Sequence, residues 1–378
     1  MKTLSLKLLL LLSAIAASPP LRSLAPQPDV QQAIALSNAA RYPEAEAAWK
    51  KLARAQPKNP AIHAALAFTL AQQNLLEAAV TEYRKSLALD PHQPDVSLNL
   101  GLAEFKQGKF AAAIEPFLAA EQSPRTRVLL GMSFYGSRAY AKAVPYLQEA
   151  VTADPSNPKL RTVLAESCLW SAQYSCAMDQ YRSILTADPD SVQSHMLLAQ
   201  ALDALNRSPE AIGELEAAAR IGPNEPDLHF ELGYLYFVAH DYDRAAPQFE
   251  LELKNNPDHA QAAAYLGDIQ LRQGNQAQAE QLLTRALALQ NDMRMAWFDL
   301  GKVLSDENKN TQALAAFQKA VSLDPADPDA HYRLARLYTT LGQKGKAQVE
   351  FAKTRELHSK AADSLIQKVS GGEHAPNL

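Results

Sequence analysis

Residues 226–259 read PDLHFELGYLYFVAHDYDRAAPQFELELKNNPDH, and this stretch is one unit of a repeat that fills most of the chain. Prolines mark its period, because Pro155, Pro189, Pro223 and Pro257 follow one another at intervals of 34 residues. The unit contains two apolar stretches with helical spacing, and the second ends before a proline. A period of this length is typical of arrays in which each unit buries its apolar face against the next.

Ten such units align from Pro26 to Ala361, and a position within a unit is called here a place, counted from 1 to 34. Place 7 holds leucine in nine units, place 8 holds alanine or glycine in all ten, place 20 is always alanine, and place 24 is always bulky and apolar. Small residues at places 8 and 20 let two antiparallel helices approach closely, and the larger residues fill the groove beside that contact. The units are 26–59, 60–93, 94–123, 124–157, 158–191, 192–225, 226–259, 260–293, 294–327 and 328–361, of which the third is four residues short.

This pattern resembles the tetratricopeptide repeat family, and Trp297 at place 4 with Tyr236 and Tyr338 at place 11 adds to the match. The resemblance covers about nine tenths of the chain. It implies an all-α fold, a right-handed superhelical α-solenoid of about ten helix hairpins whose first helices line a concave groove. Residues 360–369 are expected to form a capping helix at the open end of the array, and residues 370–378 a disordered tail.

The amino terminus has the features of an export signal. Residues 1–17 read MKTLSLKLLLLLSAIAA, with Lys2 and Lys7 ahead of an apolar run that is too short to span a bilayer. We expect a cleaved signal peptide over 1–17 and an extended spacer over 18–25, while an uncleaved amphipathic anchor is the alternative. The mature chain is therefore predicted to be exported, periplasmic or secreted, with a bacterial envelope favoured.

Composition argues against several classes of function. The chain has 37 Lys and Arg against 41 Asp and Glu, a net charge of -4, which does not provide the basic face that nucleic-acid binding requires. Two cysteines are too few for a zinc-ribbon or iron–sulfur site, and no HExxH, GxSxG, P-loop or GxGxxG motif occurs. We expect no cofactor, no nucleic-acid partner and no enzyme activity.

The histidines are interpreted as structural. Four of them occupy place 4, where the family packs one helix against another: His63, His195, His229 and His331. Three more fall in predicted turns and are expected to be solvated: His92, His240 and His259. No local spacing supports a set of metal ligands, so no metal site is predicted.

The two cysteines are close in the chain. Cys168 falls at place 11 and Cys176 at place 19 of the same unit, near one hairpin turn. An exported protein meets an oxidising environment, so a disulfide between them is one possibility, and two free thiols are the other.

A partner is predicted to bind in the groove, because places 2, 5, 9, 12 and 13 of each first helix project away from the packed face. Monomeric proteins rarely expose a large apolar surface, so apolar residues at these places indicate a binding surface. In the middle units these places are apolar: Phe105, Met132, Tyr135, Leu169, Trp170, Met196, Phe230, Tyr234 and Phe237. Farther along they become polar, at Asp268, Arg272, Lys302, Asp306 and Arg336.

The predicted function is a non-catalytic scaffold of the cell envelope that binds a protein or peptide in this groove. The resemblance also implies a role in assembling an envelope complex. The alternative is a self-associating oligomer whose apolar face is the interface between subunits. The sequence does not identify the ligand.

Overall fold

The computed structural model describes residues 27–370, with side chains to 362, and the predicted leader 1–17, spacer 18–25 and residues 371–378 lie outside this part. The described residues form twenty α-helices and no strand. The helices are α1 (Pro28–Asn38), α2 (Tyr42–Ala55), α3 (Pro60–Gln72), α4 (Leu76–Leu89), α5 (Pro94–Lys106), α6 (Phe110–Ala119), α7 (Pro124–Gly136), α8 (Tyr140–Ala153), α9 (Pro158–Trp170), α10 (Tyr174–Ala187), α11 (Val192–Ala204), α12 (Ser208–Ile221), α13 (Leu228–Val238), α14 (Tyr242–Asn255), α15 (Ala260–Arg272), α16 (Gln276–Leu289), α17 (Arg294–Asp306), α18 (Asn310–Leu323), α19 (Pro328–Thr340) and α20 (Lys344–Ser370).

The chain forms two compact units, which divide between Arg207 and Ser208 inside the sixth repeat. The first unit contains α1 to α11 and the second contains α12 to α20. Within each unit, every helix packs against the next one along the chain. Each predicted repeat therefore supplies two consecutive helices, so the predicted all-α hairpin array is confirmed.

The signals that start and stop these helices are local. The last residue of a repeat caps the following first helix: the side-chain oxygens of Asn59, Asn157, Ser123 and Ser191 accept a hydrogen bond from a backbone N–H in the first turn. At the other end, the second helices stop before the Asp-Pro pairs, as in α4 and α8. Proline disfavours the helical conformation in the residue before it, which explains these ends.

The close approach of the two helices in a hairpin depends on the small residue at place 8. A β-carbon added to Gly101 would lie 2.6 Å from the ring of Phe117, and one added to Gly301 would lie 2.7 Å from Phe317. Each ring stands at place 24 of the same repeat as its glycine, and both rings are buried. The small residue at place 8 therefore makes room for the large side chain at place 24, a contact that the sequence analysis had assigned to places 8 and 20.

The turn between the two helices of a hairpin has the same backbone conformation in all ten repeats. The residue at place 15 has a positive φ, between 56° and 81°, in every one. Glycine and asparagine adopt this left-handed region readily, and they occupy six of the ten turns. The other four have residues that disfavour it: Ala40, Arg138, Ala172 and His240.

Two elements differ from the regular pattern. The second helix of the short third repeat, α6, has 10 residues where the other second helices have 14 or more. At the other end, α20 runs from Lys344 to Ser370 without a break. The predicted capping helix over 360–369 is therefore wrong as a separate element: it is the continuation of the last second helix, because no proline or glycine interrupts the chain there.

Candidate partner-binding surface

Three of the residues predicted to face a partner do not do so. Phe105, Met132 and Leu169 in the first unit are buried, so the prediction that they are exposed is wrong. The Phe105 ring contacts that of Phe110, the first residue of α6, with centroids 5.1 Å apart. Met132 lies at place 9 of α7, which contacts the next first helix, α9.

The contact of Phe105 is one case of a recurring pair between places 12 and 17. Tyr135 contacts Tyr140 with ring centroids 5.9 Å apart, and Phe237 contacts Tyr242 at 5.5 Å. A side chain at place 12 therefore leans over the hairpin turn onto the start of the second helix. Aromatic residues at this place stabilise the hairpin, which the projection of one helix alone does not reveal.

The other candidates of the first unit are partly or largely exposed. Trp170 is 49% exposed, and Met196 and Tyr135 are half-buried. The hydroxyl of Tyr135 donates a hydrogen bond to the Glu166 carboxylate. Burial raises the pKa of both the Tyr135 hydroxyl and the Glu166 carboxyl, so this pair lies where little solvent reaches it.

The candidates of the second unit come together. Phe230, Tyr234 and Phe237 project from α13 and meet Tyr265 of α15, the first helix of the next repeat. The centroid distances from Tyr265 are 6.1 Å to Phe230, 5.6 Å to Tyr234 and 4.9 Å to Phe237. These four residues are called the aromatic patch. Tyr234 is 37% exposed and the other three are half-buried, so the aromatic patch has an open face.

Sequence reasoning missed Tyr265 because it stands at place 6, outside the places that project from a single first helix. The residue packs on Phe249 of the preceding second helix, with centroids 5.7 Å apart, and so reaches across the joint between two repeats. An aromatic residue at place 6 that follows aromatic residues at places 5, 9 and 12 of the preceding unit is the signal that could have found it.

Charged groups adjoin the aromatic patch on the following first helices. The Arg272 guanidinium lies 5.9 Å from the Phe237 ring centroid and donates a hydrogen bond to Asp268 at 2.7 Å. On α17, Lys302 pairs with Asp299 at 3.0 Å. Burial raises the pKa of Asp299 to about 6, against the opposing charge of Lys302. The polar character predicted for this end is present, and Asp306 and Arg336 are exposed.

Acidic groups lie at the start of α13, beside Phe230. Burial, together with the negative charges of Asp227 and Glu252, raises the pKa of Glu231 to about 7. No Lys or Arg among the described residues forms an ion pair with any of the three. The aromatic patch therefore has negative potential on one side and Arg272 on the other.

The histidines at place 4 have a common structural role. Nε2 of His63, His195, His229 and His331 lies 2.8 to 3.1 Å from the backbone oxygen of the proline six residues earlier. Trp297 and Arg161, also at place 4, donate to the carbonyl six residues before them, at 2.8 and 2.9 Å. The structural interpretation of place 4 is confirmed.

The solvated position predicted for His259 is wrong. Its side chain is 11% exposed, and its Nδ1 accepts a hydrogen bond from the backbone N–H of Ala262 at 3.1 Å. The residue caps the amino terminus of α15, as asparagine or serine does elsewhere in the array.

The two cysteines form a disulfide. The sulfur atoms of Cys168 and Cys176 are bonded, with the Cα atoms 5.8 Å apart, and the bond links α9 to α10 within one hairpin.

Within residues 27–370 no helix combines the length and apolar content that a bilayer span requires.

Comparison with known proteins identifies the repeat. A family model described as tetratricopeptide repeat matches residues 98–158, 172–226 and 230–294, and a model described as TPR repeat matches residues 69–108 and 301–342. The matches fall in both compact units.

Two curated proteins illustrate what the chain is similar to. The TPR repeat-containing protein YpiA of Bacillus subtilis is 24% identical over 74% of this chain and 59% of its own length. The UDP-N-acetylglucosamine–peptide N-acetylglucosaminyltransferase of Giardia intestinalis is 26% identical over 34% of this chain and 9% of its own. The chain thus spans about three fifths of the first relative and a small part of the second.

One solved structure supports the fold. The C-terminal part of a TPR repeat-containing protein from Cytophaga hutchinsonii superposes with a TM-score of 0.52 at 17% identity, over 63% of this chain and 99% of that one. The common feature is the stacking of helix hairpins.

Proposed function

Because the chain belongs to the tetratricopeptide repeat family, we propose that it is a non-catalytic scaffold that binds a protein or peptide through the aromatic patch. The single observation that carries this proposal is the open face of Phe230, Tyr234, Phe237 and Tyr265 on two adjacent first helices. Aromatic side chains bury a large area at a small cost in conformational entropy, and they dominate binding energy at protein interfaces.

The neighbouring charges suggest the chemistry of the ligand. A peptide that crosses the aromatic patch meets the carboxyl groups of Asp227 and Glu231 at the start of α13 and the Arg272 guanidinium on α15. Apolar side chains in the middle of such a peptide fill the aromatic patch, and charges at its two ends set its direction.

The proposal extends to the cell envelope. The leader-like sequence of residues 1–17 and the disulfide between Cys168 and Cys176 both agree with export, since disulfides persist in oxidising compartments. In this compartment the scaffold would help to assemble an envelope complex, the role that the family resemblance implies.

The test compares two tyrosines that are similarly exposed on first helices of the second unit. Tyr234 belongs to the aromatic patch, while Tyr332 of α19 is 42% exposed and lies outside it. We expect Tyr234→Ser to lose the proteins that wild type crosslinks in an envelope extract, because it removes the most exposed anchor. Tyr332→Ser should retain them, and mass spectrometry of the crosslinked products measures both.

Equal crosslinking by the two variants would show that the aromatic patch is internal packing only. Phe230 is less suitable for this test, because its ring packs on the buried Phe249 at 6.0 Å and its removal endangers the fold. Light scattering over a range of protein concentrations tests the alternative that the chain forms a homo-oligomer. A molecular mass that rises with concentration in wild type, but not in Tyr234→Ser, would show that the aromatic patch is the interface between subunits.

A further inference from the structure

Glu252 is a buried carboxylate at a place where the other repeats have no acidic residue. It occupies place 27 of the seventh repeat, and the other nine repeats have no acidic residue there, with alanine the commonest. The side chain is only 1% exposed. A buried carboxylate is costly unless hydrogen bonds or a cation satisfy both oxygens, so its presence requires a reason.

Only half of this carboxylate is satisfied. Oε2 accepts a hydrogen bond from the backbone N–H of Phe230 at 3.2 Å, and thereby caps the first turn of α13. Oε1 is buried and has no hydrogen-bond partner. No described Lys or Arg forms an ion pair with Glu252. Capping explains one oxygen and leaves the other without a function.

Two further ligand groups converge on this carboxylate. His259, the only histidine that ends a repeat, directs Nε2 to within 3.4 Å of Asp227 Oδ1. One ligand atom each from Asp227, Glu252 and His259 lies within 4.8 Å of the others. These three residues are called the His–carboxylate cluster.

We propose that the His–carboxylate cluster binds a divalent transition-metal ion, for which zinc is the appropriate probe. Zinc takes imidazole nitrogen and carboxylate oxygen at about 2.0–2.2 Å, commonly three protein ligands with a water in the fourth position. The ligand atoms must close on the ion, which rotations of the exposed Asp227 and of the His259 ring allow. The ion would satisfy Glu252 Oε1 and offset the negative charge of the cluster.

The proton on His259 has to move when the ion binds. Nδ1 accepts from the Ala262 N–H, so Nε2 carries the proton of the neutral ring. A metal at Nε2 needs the other tautomer, with the proton on Nδ1, and this ends the hydrogen bond from Ala262. Zinc should therefore change the environment of the Ala262 amide, which distinguishes coordination by His259 from binding elsewhere.

The site would join three helices. Asp227 precedes α13, Glu252 lies in α14, and His259, the last residue of the seventh repeat, caps α15. A shared ion would therefore fix the start of α15 to the hairpin of α13 and α14, next to the aromatic patch, where the ring centroids of Phe230 and His259 lie 4.5 Å apart.

The experiment titrates zinc chloride into the metal-free full chain by isothermal calorimetry. The variants are Glu252→Gln, which keeps an acceptor for the Phe230 N–H, and His259→Asn, which keeps a capping side chain. The control is His240→Asn, which removes an exposed histidine at a positive φ that asparagine tolerates. We expect one zinc per chain in wild type and in the control, with at least tenfold weaker binding in the other two.

Weak zinc binding common to all four proteins would overturn the proposal, as would full affinity in His259→Asn. If Glu252→Gln fails to fold by circular dichroism, Asp227→Asn replaces it, because Asp227 is 62% exposed and its loss should leave the fold intact. A change of the Ala262 amide resonance on adding zinc to wild type, absent in His259→Asn, is the second expected result.

Discussion

Place 15 shows how one backbone conformation selects residues along the whole chain. Ten turns need a positive φ, yet four have alanine, arginine or histidine there. A residue with a β-carbon loses roughly 1 kcal/mol in this region relative to glycine. These four turns are therefore less stable than they would be with glycine at place 15.

We expect Ala40→Gly to raise the free energy of unfolding by about 0.5–1 kcal/mol, because φ at Ala40 is 56° and the residue is exposed. The matched change Gly274→Ala, at a φ of 81°, should lower it by a similar amount. Urea unfolding followed by circular dichroism measures both. Changes of the same sign in the two variants would contradict this account.

The residue scale also shows where sequence reasoning was sufficient. The family resemblance identifies place 4 as structural, and the hydrogen bonds of His63 and His229 to proline carbonyls provide the physical reason. Place 15 was overlooked because a pattern of apolar residues contains no information on turn dihedrals. The glycines and asparagines at that place were visible in the sequence as a signal.

At the scale of the element, the first helix α17 buries an ionisable carboxyl group. Asp299 of α17 is buried with Lys302 as its partner, and its pKa of about 6 lies above the ordinary value of 3.8. Between these two values the folded state binds a proton that the unfolded state has released. This group therefore makes the free energy of unfolding fall as pH rises from about 4 to 6, with no further loss above.

The variant Asp299→Asn should remove this dependence. We expect wild type to lose about 1 kcal/mol more stability than the variant between pH 5 and pH 7.5, from the shift in pKa. Urea unfolding of both proteins at the two pH values measures the difference. Parallel pH profiles would show that Lys302 and the nearby Arg272 already compensate the ionised carboxylate.

The contacts between elements explain which groove residues were predicted wrongly. The projection of an isolated helix places Phe105 on the exposed face, but its ring is buried because it leans onto Phe110 at place 17 of the second helix. The aromatic patch depends on Tyr265, a residue of the next repeat. A surface built from two helices cannot be identified from the periodicity of one.

For the whole molecule, the sequence was sufficient to predict the number of hairpins, their order and their register. This was possible because each repeat is defined by short-range spacing and, within each compact unit, each helix contacts the next one along the chain. The His–carboxylate cluster was out of reach, since Asp227, Glu252 and His259 are separated along the chain and match no motif. The handedness of the superhelix stays a prediction from the family resemblance.

The disulfide connects the stability of the chain to the compartment in which it folds. Closing the short loop between Cys168 and Cys176 should contribute about 2–3 kcal/mol by the chain-entropy model. We expect reductant to lower the unfolding midpoint of wild type and to leave the double variant Cys168→Ala, Cys176→Ala unchanged. Mass spectrometry after alkylation, with and without reductant, checks the bond, and equal masses would disprove it.

The hydrogen bonds from place 4 also have a mechanical consequence. Each one crosses the joint between consecutive repeats, from a side chain such as His331 to the carbonyl of Pro325. Ser97 and Ala263, which stand at place 4 of the third and eighth repeats, have side chains too short to make this bond, and Arg127 of the fourth repeat donates to Glu149 instead. Under tension or thermal bending, we therefore expect the joints that have this hydrogen bond to be stiffer than the joints before Ser97 and Ala263.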